Sequence, residues 1–302
     1  MFKSKNSMSR ALVRRETTAG YLFLLPSLFF FVTFVLYPMF LCIYTSFFDS
    51  NMGKNAVDVF VGLGNYKELF QDKLFLGALK NTVVIVVVAV PTVCAFSLWV
   101  ATAIYDMKPA LTSAFRCIFY LPVVTGSVAV TVVWKWMYNN RYGVFNYIFK
   151  SLGIIDQNIN WLGDARFALW CIILILFTTS VGQPIVLYVS ALGNVDHSLV
   201  EAAQVDGANR RQVFWKIKWA QIMPTTLYIL IITTINSFQC FALIQLLTSG
   251  GPTHSTDTIM YYIYYTAFKL YRYGYGNAMG VVLMIIIAVL SAVQFKLGQQ
   301  SD

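Results

Sequence analysis

Between Thr17 and Phe48 the chain runs for 32 residues without one Asp, Glu, Lys, Arg or His. A bilayer core is about 30 Å thick and takes roughly 20 apolar helical residues to cross. A helix suits that medium because it satisfies its backbone polar groups internally. The stretch is too long for a signal-peptide core and lacks a small-residue cleavage site beside a short apolar region, so it is expected to remain as a tilted or extended first span. Pro26 is tolerable if it lies in the first turn or two, and Pro38 is expected to mark a kink near the far end.

The rest of the chain follows the same logic. Hydrophobic residues make up 58% of the 302 and charged residues 12%, with a mean hydropathy of +0.64, the composition of an integral membrane protein. Further spans are expected at Asn81–Tyr105, Cys117–Trp134, Phe167–Leu192, Trp219–Thr248 and Asn277–Phe295, six in all. This divides the chain into a basic N-terminal segment (1–18), a first span (19–48), a polar extracytoplasmic loop (49–80), a core (81–295) and a tail (296–302). The polar loop contains a Gly62–Asn65 turn signal and a short helix near Asn65–Phe70. Trp134, Trp136 and Tyr138 crowd one span end as headgroup-level aromatics do, and the loop 139–166 carries Gly143, Gly153 and Gly163 as breakers. The Tyr-rich segment Tyr261–Tyr275, interrupted by Lys269 and Arg272, reads as amphipathic and interfacial.

Six spans place both termini on one side. Twelve of the 22 Lys and Arg fall on the N-terminal side, although the other side has the longer loops. The basic residues Lys3, Lys5, Arg10, Arg14 and Arg15 set the expectation that both termini are cytoplasmic. The net charge of +9 is dispersed among loops, without a patch for nucleic acid.

Enzymatic constellations are absent from the sequence. The five cysteines stand singly in apolar runs, without a disulfide or metal-site spacing. His197 and His254 pair with no Ser, Cys or carboxylate at a recognisable spacing. The interiors of the expected spans hold no titratable Asp, Glu, Lys, Arg or His, which argues against a proton-coupled transporter or an intramembrane hydrolase. They hold amides instead: Gln183 beside Gly182 and Pro184, then Asn236, Gln239 and Gln245. Amides both donate and accept, which suits hydroxyl-rich neutral solutes; the competing reading is inter-helix bonding. Asn236 and Gln239, three apart on one helix, are expected to face one cavity.

Ser198–Pro224 is the structured polar interlude between two long apolar runs. Ser198-Leu-Val-Glu201 has capping-box spacing, alanines follow to about Asp206, and Gly207 is placed to turn the chain at positive φ. Asn209-Arg-Arg-Gln212 offers a weaker second start, after which Val213, Phe214 and Ile217 share a face. By spacing alone this is either a solvated loop or a helix–Gly–helix knob to be gripped.

Residue identities favour the knob. Glu201-Ala202-Ala203, Asp206-Gly207-Ala208, Phe214, Ile217 and Pro224 resemble the EAA loop of the permease subunits of ATP-binding-cassette (ABC) importers. Where that family usually has Leu-Pro, this chain has Trp219-Ala220, leaving Pro224 to bend the helix alone. Tyr21–Pro26, Phe60–Tyr66, Tyr120-Leu-Pro122, Asn160-Trp-Leu162 and Leu247–Pro252 extend the resemblance, specifically to permeases of bacterial carbohydrate-uptake importers. The resemblance implies an all-α polytopic fold like that of type I ABC importer permeases, with a cytoplasmic coupling helix. It implies that Glu201, Ala202, Ala203, Asp206, Gly207, Ala208, Phe214 and Ile217 couple to an ATPase, with Gln183, Asn236 and Gln239 on the solute path. The implied setting is the bacterial cell membrane. The implied partners are a second, distinct permease subunit, two ATPase subunits carrying ATP and Mg, an extracytoplasmic solute-binding protein and a sugar. No GxxxxGK[ST] occurs, so the ATPase is expected on a separate chain and this chain is expected to bind no cofactor. The alternative is an importer for a non-sugar solute such as a phosphate ester or amino acid.

Overall fold

The computed structural model describes residues 3–50 and 58–299, with side chains from Glu16 to Gly298. The basic side chains up to Arg15 therefore lie outside the described residues. The first span is α1 (Lys3–Phe31), a π-turn (Val32–Leu36) and α2 (Tyr37–Thr45). Pro26 lies well inside α1 and not in its first turns as expected, because the helix already starts at Lys3. The irregularity expected at Pro38 is the π-turn just before it. A proline ring crowds the carbonyl four residues back, here Phe34, and a wider turn relieves that crowding. The span meets the body through α2, where Asn277 Nδ2 donates to Thr45 Oγ1 at 2.7 Å. Its apolar upper part, Tyr21 to Phe34, stays exposed.

A two-residue antiparallel ribbon absent from the sequence reading follows, β1 (Phe48–Asp49) with β2 (Val59–Phe60). Then comes the short helix α3 (Gly64–Leu69), close to where it is expected. The polar loop ends sooner than expected, because α4 runs Lys73–Tyr105. Asp72 fixes that start: its Oδ1 accepts from Leu74 N at 2.8 Å and Phe75 N at 3.4 Å.

The expected third span is two helices, α5 (Pro109–Val124) and α6 (Ser127–Met137), bent by 95° at Thr125–Gly126. Pro122 weakens the last turn of α5, and extended backbone at Thr125 and Gly126 redirects the chain. In the following loop α7 (Val144–Ser151) forms. Asn146, buried, holds the loop by accepting from Ile159 N and Trp161 Nε1.

The fourth span is α8 (Ala168–Ser180) and α9 (Gly182–Gly193), joined through Val181. Ser97 Oγ donates to Val181 O at 3.2 Å across to α4. A Cβ at Gly182 would meet the backbone oxygen of Phe119, so glycine lets α9 approach α5 closely. After the knob, α12 (Trp219–Phe238) runs through Pro224, and the fifth span continues as α13 (Ala242–Leu247) beyond a break at Gln239–Cys240. The last elements are α14 (Ile259–Tyr264), a π-turn (Tyr265–Lys269) and α15 (Tyr273–Gln299). Among the described residues five helical stretches are long and apolar enough to cross a membrane, six if the bent α5–α6 pair counts as one.

Apolar cores lie at both ends. Val93, Val100, Ile104, Ile185, Tyr188 and Ile222 pack α4, α9 and α12 together near the knob. At the opposite end Phe75, Phe238, Tyr262, Tyr275 and Met279 join α4, α12, α14 and α15. The Tyr-rich segment is therefore non-spanning but packed into this core. Its Tyr262 and Tyr275 hydroxyls donate to Asp72 Oδ2 at 2.7 and 2.9 Å. Beside them Arg272 makes a two-pronged ion pair with Glu68, both bonds 2.8 Å, and lies over the Tyr275 ring. Burial works to raise the Asp72 pKa, but the two tyrosine and two backbone hydrogen bonds outweigh it and hold it below the usual carboxylate value.

Candidate functional site: the charged knob and the amide-lined cavity

The knob is α10 (His197–Val205), a turn, α11 (Arg210–Val213) and a π-turn (Phe214–Lys218) that leads into α12. The Ser198–Glu201 capping box does not form. Asp196 caps instead, its carboxylate accepting from Ser198 N at 2.9 Å. A carboxylate reaches the second helical N–H from the N-cap directly, so the helix begins one residue before Ser198. The hydrogen bonds from Ser198 hold the Asp196 carboxyl below its usual range. Glu201 is thereby left exposed, with no side-chain hydrogen bond among the described residues.

Gly207 adopts φ +83°. Ala208 N donates to Ala203 O at 2.9 Å and Gly207 N to Gln204 O at 3.1 Å. This pair of bonds is the Schellman termination, which needs a left-handed residue at Gly207. The second start is stronger than its sequence suggests: Asn209 and Gln212 form a full reciprocal capping box, with bonds of 2.9 and 2.8 Å.

One face of the knob packs on the body. Val213 is buried and Val200 and Trp219 touch the core. A cleft of about 390 Å³ lies beneath, lined by Tyr105, Asp106, Leu192, Arg210, Phe214 and Lys218, with Lys218 Nζ 5.5 Å from the Tyr105 ring centre. The other face is open. Val205 is 88% exposed, and Leu199 and Trp215 are half or more exposed. Ala202, Asp206 and Gly207 are exposed; Ala203, Ala208, Phe214 and Ile217 are half-buried. Uncovered apolar side chains beside an unpaired carboxylate on a rigidly terminated helix form a surface that a partner can grip.

In the spans the structure brings Gln183 and Asn236 into one cavity of about 160 Å³, with the hydroxyls of Thr179, Ser180 and Thr233. Gln239 is not part of this lining; it caps the C-terminus of α12 and is exposed. The helix stops at Phe238, so a three-residue spacing no longer guarantees a shared face. Among the described residues no charged side chain lines this cavity. Gln183 also lines a second cavity of about 450 Å³ with Arg116, Tyr120 and Val186. The third span, expected to start at Cys117, excludes Arg116, but α5 begins at Pro109, seven residues before it. The capping position of Lys108 before Pro109 was the available signal, since proline favours a first helical turn.

The chain matches the family described as binding-protein-dependent transport system inner membrane component over residues 61–299. It is 33% identical over 288 residues to the probable ABC transporter permease protein YesP of Bacillus subtilis, covering 94% of this chain and 91% of that one. It is 32% identical over 283 residues to the multiple sugar-binding transport system permease protein MsmF of Streptococcus mutans, covering 94% and 96%. Its fold resembles a chain of a bacterial alginate ABC transporter crystallised with a pentasaccharide-bound periplasmic protein, with a TM-score of 0.80, 24% identity and 93% of each chain covered. This chain belongs to the family of inner-membrane components of binding-protein-dependent transport systems.

Proposed function

We propose that the chain forms half of the membrane channel of an ATP-driven carbohydrate importer, paired with a second, distinct permease. Its knob lies in the cytoplasm and seats on an ATPase subunit, one of two. At the opposite end, outside the cell, a solute-binding protein delivers the sugar. The observation that carries the solute class is the grouping of Gln183 and Asn236 with three hydroxyls in one uncharged cavity. Such a lining exchanges hydrogen bonds with sugar hydroxyls without imposing a charge. The sugar-transport relative supports the same class. The exposed Glu201, Leu199 and Val205 support the ATPase contact.

Each hydrogen bond to a hydroxyl contributes roughly 0.5–1.5 kcal/mol net, so Asn236→Leu is expected to lower uptake per assembled transporter about two- to tenfold. Unchanged uptake per complex in Asn236→Leu, Gln183→Leu and the double variant would remove this cavity from the path. Orientation is tested by an impermeant thiol reagent in intact cells. It should label cysteines placed at Asp58 or Asn158 and miss one at Arg210; the reverse pattern overturns the ATPase contact.

A further inference from the structure

Arg116 stands about 10 Å along α5 from its start. Its cavity joins the amide-lined one at Gln183. Its Nε is buried and has no hydrogen-bond partner among the described residues, and no carboxylate lines either cavity. The side chain as a whole is only half-buried and lines the larger of the two, so its charge stays unmatched unless an acceptor enters there.

The opposite end repeats the chemistry. Two clefts of about 610 and 750 Å³ share Arg141 and Tyr142; Lys135 lines the first and Lys150 the second, beside several asparagines. Among the described residues no Asp or Glu lines either cleft. Neither the two arginine–carboxylate ion pairs nor the His254–Asp257 contact among the described residues involves any of these four cations. In the orientation proposed above, Lys135, Arg141 and Lys150 face the outside, where membrane topology selects against Lys and Arg. Insertion therefore does not account for them. Tyr142 and Tyr147 at the cleft edges are 64% and 75% exposed, and aromatic faces of this kind stack on sugar rings.

We propose that the transported carbohydrate is anionic, and that Arg116 holds its acidic group while Gln183 and Asn236 hold its hydroxyls, after the Lys135–Arg141–Lys150 clefts receive it. The inference rests on the carbohydrate reading above and narrows it. A protein docked at the outer clefts would not reach Arg116, which lies on the knob's half of the molecule, and a carboxylate of the partner permease beside Arg116 would leave the outer clefts unmatched; a carboxylate or phosphate on a sugar satisfies both.

The test uses the complete transporter, with partner permease, ATPases and solute-binding protein, in membrane vesicles. The probes are end-labelled oligosaccharides from polygalacturonate and alginate, neutral ones from starch and galactan, and labelled glucose 6-phosphate. Acidic oligosaccharides are expected to enter. Arg116→Gln should lower that uptake per assembled complex about ten- to a hundredfold, with partial recovery in Arg116→Lys. Lys67→Gln, at an exposed cation that lines none of these cavities, should leave it unchanged. Entry of glucose 6-phosphate with the same Arg116 dependence supports the anionic class and assigns the charge to phosphate. Entry of neutral oligosaccharides alone, or acid uptake indifferent to Arg116→Gln, overturns the inference while sparing the carbohydrate reading. If Arg116→Gln fails to assemble, the wild-type probe panel and Arg116→Lys still decide. Equal loss of charged and neutral uptake in the Lys135, Arg141 and Lys150→Gln variants would make the outer clefts a protein-docking surface and overturn their part. Exclusion of every sugar probe overturns both readings.

Discussion

Replacing Gly207 isolates the backbone of the knob from its side chains. A Cβ there meets nothing within 4 Å, so the cost of substitution lies in the φ of +83°. An L-residue in the left-handed region costs roughly 1–2 kcal/mol, and a β-branched one stands at or above the upper end. The turn is held by two backbone bonds, Ala208 N to Ala203 O and Gly207 N to Gln204 O, together about 1–3 kcal/mol. The two quantities are comparable, so Gly207→Val should populate a different turn and displace α11 from α10. Gly207→Ala should do so less, and Gly207→Asn, whose side chain tolerates this conformation, least. The assay is ATP hydrolysis and solute uptake of the assembled transporter in proteoliposomes. Uptake per ATP is expected to fall in the order Gly, Asn, Ala, Val, with the melting point of the chain almost unmoved because the turn is exposed. Wild-type coupling in Gly207→Val would refute the claim that the turn transmits motion, and so would a series ordered by side-chain size alone.

Because Asp196 and not Glu201 caps α10, Glu201→Ala should alter stability by less than about 0.5 kcal/mol yet lose ATPase capture in pull-down; normal capture and normal stimulation would leave the residue without a role. Gly182→Ala should cost about 1–3 kcal/mol by forcing α9 off the Phe119 backbone, read as a lower thermal midpoint, while Gly126→Ala, with open space around it, should do far less. Asp72 has a lowered pKa in the fold, so its contribution is present above the ordinary carboxylate value and is lost as pH falls through the lower folded value. Asp72→Asn should therefore flatten the acid limb of the stability profile, and an unchanged limb would show that the tyrosine bonds do not favour the ionised form.

How much of this was legible in the sequence depended on the range of the interactions involved. Uncharged runs of membrane length, Gly207 and the Asn209–Gln212 spacing encode local structure, and each appears in the fold. The α10 cap was misplaced because Asp196 and Ser198 are both good caps and sequence does not rank them. The 95° bend within the third span is not legible in the sequence because Pro122 and Gly126 signal a break without its angle. Arg116 falls just before the expected span start at Cys117 because apolar content, not the Pro109 start, sets that boundary. The node of Asp72 with Tyr262 and Tyr275 joins residues about 190 or more positions apart, and nothing local announces it.

The wide turn at Phe214–Lys218 acts as a phase shifter between the knob and the fifth span. One extra residue in a helical turn rotates everything beyond it by about 100° relative to an uninterrupted helix. A helical wheel drawn straight from Arg210 to Phe238 therefore assigns the lining and lipid faces of α12 about a quarter-turn out. Crosslinking or cysteine-scanning designs should index the two sides separately. The same shift gives a one-residue insertion or deletion at this turn a distinctive outcome: it would keep the span in place while swinging the gripping face of the knob to another bearing.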